Sequence, residues 1–196
     1  SPSGSANGGI IGKTNNISFG KCTVTTKTST GAITTQPGTT VAQTLIVAGG
    51  GGSGGGQGFS GAAGGGGAGG VLCQQINVCG NTPYTATIGA GGSGVDQARG
   101  NNGTNSTLVI GCTTYTATGG GSGGVDVTPY PVQRPGNPGG SAGGNAFSSP
   151  STVGTGNTPP TDPPQGNNGG RGNEAPGSPN NAGGGGGGAT AVGANG

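Results

Sequence analysis

Short β-prone runs alternate along this chain with long stretches of glycine. The clearest apolar run is Leu45-Ile46-Val47-Ala48, within a strand expected over 41–48. It leads straight into 49–70, where only Gln57 and Phe59 interrupt Gly, Ala and Ser. Tyr84-Thr85-Ala86-Thr87-Ile88 alternates as a half-buried strand does. Residues 71–78, 107–110 and 113–118 are further strand candidates, and 16–33, rich in Thr with Ile17, Phe19 and Val24, reads as one or two strands. Pro37-Gly38 and Asn81-Thr82-Pro83 are turn signals. No segment has the period or the helix formers of an α-helix, so essentially none is expected.

Composition changes what these strands can be part of. The 196 residues include 55 Gly and 14 Pro, with no Met, Trp or His; 26% are hydrophobic and 5% charged. Apolar content is about half that of an ordinary globular chain, so a core of ordinary size cannot be built. Glycine also loses the most backbone entropy on folding, which by itself would favour disorder. Disordered chains usually carry a high net charge, however, and this one has only +2. Low charge with abundant Gly and Asn favours close backbone-to-backbone packing instead. The extended threefold helix, with three residues per turn, is the glycine-rich solution to that problem. Where several such helices pack side by side, glycine at inward positions lets N–H···O bonds and weaker Cα–H···O contacts run between neighbours. The expected fold is therefore a small β-strand portion with a loop-rich bundle of packed polyglycine-II-type helices.

Three consecutive regions follow: an N-terminal arm and Thr-rich β segment over 1–40, β strands with glycine runs over 41–127, and a Pro/Gly-rich region of extended helices and loops over 128–196. Proline enters from Pro129 onwards and fixes φ near the value an extended helix needs, which suits the ends and loops of such helices. An internal echo, GGSGVD at 91–96 and GSGGVD at 121–126, sets Asp96 and Asp126 just after glycine runs.

The chemistry on offer is sparse. Without histidine, a serine or cysteine triad lacks its usual base. The carboxylates are Asp96, Asp126, Asp162 and Glu174, and nothing in the pattern sets two of them at a glycan-cleaving separation. Asp96 and Asp126, as equivalent positions, are weak metal candidates; the commoner role of such residues is to accept backbone N–H bonds in turns. No enzyme activity and no cofactor are expected. Cys22, Cys73, Cys79 and Cys112 are an even number in a core-poor chain, which suits disulfides. Cys73 and Cys79 could close a small loop, leaving Cys22 and Cys112; three connectivities are open, free buried thiols are the second reading, and a zinc site would have unusual spacing. The six Lys and Arg residues are scattered and form no nucleic-acid footprint. No apolar stretch has membrane-spanning length and no signal peptide is visible. Ser1 in place of an initiator Met suggests a processed chain or a piece of a longer one. Asn16, Asn102 and Asn105 sit in N-x-S/T sequons that chance alone can supply.

The run TLIVAGGGGSGGG, then GGGGAGGV, YTATIGAGGSG, NGTNSTLVIG, YTATGGGSGG, GNTPPTDPPQGNNGGRGN and GGGGGGATAVGANG resembles the glycine-rich domain of tailed-phage fibre and adhesin proteins, of the marine and cyanophage type. The likeness covers roughly residue 41 to the end. It departs from the family pattern in its four cysteines and in stopping at Gly196 without a closing apolar strand, which suggests a truncated or processed C-terminus. The resemblance implies a virion structural protein that mediates host attachment, with packed glycine helices presenting variable loops to a host glycan or protein. It also implies contact with other virion proteins and self-association, a homotrimer by analogy. Phe59, Tyr130 and Phe147, aromatics in Gly- or Pro-rich surroundings, and Arg134 beside Tyr130 are the candidate receptor contacts. The bland alternative is that they fill gaps between layers. Two rival readings remain: an extracellular filament or matrix protein, and an ice-binding protein suggested by the Thr-Thr pairs, against which the prolines and irregular loops count.

Overall fold

The computed structural model describes residues 10–11, 24–56, 61–126, 135–146, 152–173 and 181–196. Among them there is no α-helix. Seven strands form: β1 (Ile10–Ile11), β2 (Gly31–Thr35), β3 (Val41–Val47), β4 (Val71–Asn77), β5 (Pro83–Thr87), β6 (Ser106–Ile110) and β7 (Thr113–Ala117). They make two antiparallel sheets, one in the order β1-β2-β5-β6-β7 and one pairing β3 with β4. Of the one or two strands expected over 16–33, β2 begins only at Gly31, residues 24–30 are not strand, and 12–23, with Phe19, lie outside the described residues. The chain divides into two units, each assembled from separate stretches of sequence rather than from consecutive regions.

The first unit takes residues 1–46, 73–88 and 107–116. Period-two alternation gives it a small apolar core. On β5, Tyr84 and Ala86 point inward between exposed neighbours. They meet Ala42, Ile76, Val78 and Leu108, with Ile33, Ile46, Ile110 and Tyr115 packed around them. Polar side chains tie the turns to this core. The Thr35 hydroxyl donates to the Cys79 carbonyl at 2.6 Å and accepts from the Thr82 amide at 3.1 Å. The Tyr84 hydroxyl accepts from the Cys79 amide at 2.7 Å. At Gln36-Pro37-Gly38-Thr39 the Thr39 amide donates to the Gln36 carbonyl, and Gly38 has φ 82°, as a type II turn with Pro at its second position requires. The β6–β7 hairpin turns through Gly111, whose φ of 60° fits the first central position of a type II′ turn.

The second unit takes residues 47–72, 89–106 and 117–196. Most of it is neither helix nor strand, yet its backbone is systematically hydrogen-bonded. Along 48–56 the amides of Ala48, Gly51 and Gly54 donate to the carbonyls of Gly70, Gly67 and Gly64. The amides of Gly49, Gly52 and Gly55 donate to Thr104, Asn101 and Ala98, and their carbonyls accept from Gly120, Gly123 and Asp126. Each neighbour is thus met every third residue, where a β ladder repeats every second one. Segment 61–70 behaves alike: Gly64, Gly67 and Gly70 donate to Gly124, Gly121 and Thr118, while Gly65 and Ala68 donate to Gly184 and Gly187. Glycine is compulsory where a residue faces a neighbouring backbone. A Cβ on Gly64 would lie 1.9 Å from the Gly144 carbonyl oxygen, with no side chain present to yield. Small side chains fill the remaining interior, among them Ser122, Val125, Ser141, Ala142 and Ala146, all fully buried.

Candidate functional site

The directions of the glycine-rich segments fix where their connecting stretches emerge. Segment 118–126 runs parallel to 48–56, since Gly120 and Gly123 donate to Gly49 and Gly52. It also runs parallel to 140–146, since Gly121 and Gly124 donate to Ser141 and Gly144. In turn 140–146 runs parallel to 165–173, with Ala142 and Asn145 donating to Asn167 and Gly170. Segments 61–70 and 182–188 run the other way. Gly56, Asp126, Ala146 and Asn173 therefore finish at one end of this unit, and Gly61, Pro135, Thr152 and Ala182 start there. Local contacts agree: Gly56 bridges Asp126, Asn173 bridges Ala182, and the Asn145 amide nitrogen Nδ2 donates to the Thr152 carbonyl at 2.9 Å.

Phe59, Tyr130, Arg134 and Phe147 themselves lie outside the described residues. The described residues flanking the stretches that carry them, 57–60, 127–134 and 147–151, all belong to that same end. The flanks of 174–180 do as well.

Asp96 and Asp126 flank the same stretch of backbone at this end. The Asp126 amide donates to the Gly55 carbonyl, and the Gly55 amide donates to Ala98, just past Asp96. Asp126 is buried and Asp96 exposed in a turn where Gln97 has φ 53°. Among the described residues no three His, Cys, Asp or Glu side chains group together as metal ligands would.

The described cysteines form no disulfide. Cys73, Cys79 and Cys112 are free and exposed, and Cys22 lies outside the described residues. The expected Cys73–Cys79 loop fails on geometry: Cys73 sits within extended β4, so six residues carry Cys79 on the order of 20 Å away, far beyond disulfide reach.

Several polar residues without an expected structural role hold the unit together. Gln165 is buried, with Oε1 accepting from the Thr118 amide at 2.7 Å and Nε2 donating to the Thr118 hydroxyl at 3.1 Å. Asn102 and Asn105 accept the amides of Ser122 and Gly119. Arg99 donates to Asn137 Oδ1, and the Asn137 Nδ2 donates to Asn102 Oδ1 and the Ser122 hydroxyl. Burial lowers the Arg99 guanidinium from its ordinary pKa. Asn157, at φ 50°, ties the proline loop that follows it by accepting the amides of Thr161 and Gln165. Asn and Gln amides mimic peptide groups, so they accept amides such as those of Gly119 and Ser122 in place of a backbone carbonyl.

No curated protein and no solved structure matches this chain. Residues 25–196 match the family described as a glycine-rich domain, a span that takes in nearly the whole chain, and the protein belongs to that family.

Proposed function

We propose that this protein is a structural component of a phage tail fibre or similar virion appendage that presents loops to the host surface. In this reading the glycine-rich unit is a bundle of polyglycine-II-type helices. Contacts recurring every third residue support that identification, because the extended threefold helix repeats every three residues. The observation that carries the functional reading is the gathering at one end of the unit of the flanks of 57–60, 127–134, 147–151 and 174–180. A rigid backbone scaffold with variable stretches at one tip separates stability from recognition, since loops tolerate change that the lattice does not. Phe59, Tyr130 and Phe147 supply stacking surfaces for a sugar or a protein side chain, and Arg134 supplies a charged donor. The function is presentation, without bond-making chemistry.

The test is adsorption. Purified protein should compete with the parent virion for host cells, and replacing 127–134 and 147–151 with Gly/Ser stretches should abolish the competition while unfolding is unchanged. Immunogold label against these stretches should fall on virion appendages. Label along cell-borne filaments, with bare virions, would overturn the reading in favour of a matrix protein.

A further inference from the structure

Three segments of the glycine-rich unit lie side by side, 48–56 bonded to 61–70 and 61–70 bonded to 182–188. Each also bonds a second tier, 118–126 or 140–146. In a helix with three residues per turn, successive residues face about 120° apart. Two of the three amide rows on each front segment are used: 48/51/54 and 49/52/55 on the first, 64/67/70 and 65/68 on the second, 184/187 and 185/188 on the third. The third row turns away from the second tier. Its amides at Gly50, Ser53, Gly66, Gly183 and Gly186 have no acceptor among the described residues, and all five residues are partly or fully exposed. Segment 118–126, inside the unit, shows what the same backbone does when covered: the amides of Gly119, Gly120, Gly121, Ser122, Gly123 and Gly124 all find acceptors.

Side chains on this face are held to the size a covered face would need, although the fold itself does not require it. A Cβ on Gly50 would meet nothing nearer than 3.5 Å, and on Gly185 nothing nearer than 3.3 Å. On these three segments the outward side chains are no larger than Ala or Ser and none is charged, and the exposed Val95 and Val192 belong to the edge segments beside them. Together with the edge segments 89–95 and 191–196, the face measures on the order of 600–700 Å², taking about 3.1 Å per residue and 4.8 Å between chains. Doubled, that is roughly 1,300 Å², enough for a specific interface.

We propose that this face docks a second copy of the chain, the two related by a two-fold axis and joined by backbone N–H···O rows. The occupant follows from the spacing: donors recurring every third residue on adjacent chains are matched by another extended backbone of the same repeat, which this chain carries. The Gly66 and Gly186 carbonyls accept no hydrogen bond among the described residues, so each copy has acceptors as well as donors left to offer. An isologous contact of this kind closes at two copies, unlike the trimer that analogy with fibres suggests. The inference rests on the threefold-helix reading and is independent of the attachment reading.

Sedimentation of the full chain tests it. The expected mass is twice 17.8 kDa, falling to the single-chain mass in Gly50→Leu and Ser53→Arg with thermal unfolding retained. Amides at Gly50, Gly66 and Gly186 should exchange about tenfold or more slowly in the pair than in Ser53→Arg. A wild-type chain that stays single at all concentrations, a threefold mass, or a pair untouched by both substitutions would overturn the proposal. So would a single chain that shapes ice crystals, since water would then be the occupant. Failure of the helix reading is distinguishable: it would remove the three-residue pattern of protected amides from the single chain as well.

Discussion

In the strand-built unit, Ile76, Tyr84 and Leu108 are buried against one another, and the backbone is paired as a consequence of sheet formation. In the glycine-rich unit the fully buried side chains include Ser122, Ser141 and Asn145, while the closest contacts are between main chains. The first unit gains from removing apolar surface from water. The second buries little such surface, and it must offset the entropy of ordering glycine through many backbone hydrogen bonds, each with a small net value of about 1 kcal/mol, plus dense packing. A unit of the first kind tolerates changes of shape that preserve volume. One of the second kind tolerates almost nothing at its inward positions and nearly anything at its loops.

That contrast can be broken at single positions. The largest effect is expected for Gly64→Ala, where the added carbon would sit 1.9 Å from a backbone oxygen. Overpacking against backbone cannot be relieved by a rotamer change, so a loss of about 4 kcal/mol or failure to fold is expected in thermal unfolding. Ile76→Ala should cost about 3 kcal/mol through a cavity, with amide protection lost in the strand-built unit first. Gln165→Ala leaves the Thr118 amide without its acceptor and should cost about 2 kcal/mol, whereas Gln165→Glu restores an acceptor and should recover part of it. Gly50→Ala, where the new carbon would meet nothing nearer than 3.5 Å, should change stability by no more than about 0.5 kcal/mol. Equal costs for Gly64→Ala and Gly50→Ala would remove the basis for distinguishing inward from outward glycine.

Much of the fold was legible because both units obey simple periods. Alternation at Tyr84–Thr87 and the Pro37-Gly38 turn identified strand β5 and its neighbourhood, and the lack of any 3.6-residue period excluded helices among the described residues. The Thr-rich stretch misled in its described part because β-branched content alone does not set a strand's start: 24–30 are not strand, and β2 begins at Gly31. The cysteines misled because an even count carries no distance, and β4 extends the chain between Cys73 and Cys79. Gln165, Asn157 and Asn137 were invisible as structural residues, since amide side chains in a Gly/Asn/Pro-rich context look like ordinary loop composition. What makes them matter is which groups they meet, known only once the segments are laid side by side. The aromatic candidates stand out by composition alone, and it is the direction of the flanking segments, not any local motif, that brings the ends of their stretches together.

The most direct measurement is residue-resolved amide exchange on the Ser53→Arg chain. The account predicts a repeating pattern of two slow amides and one fast: Gly51 and Gly52, then Gly54 and Gly55, slow around a fast residue 53, with Gly64, Gly65, Gly67 and Ala68 slow around a fast Gly66. In segment 118–126 the run from Gly119 to Gly124 should be slow without interruption. Uniformly fast exchange, or protection alternating every second residue, would contradict the threefold backbone lattice.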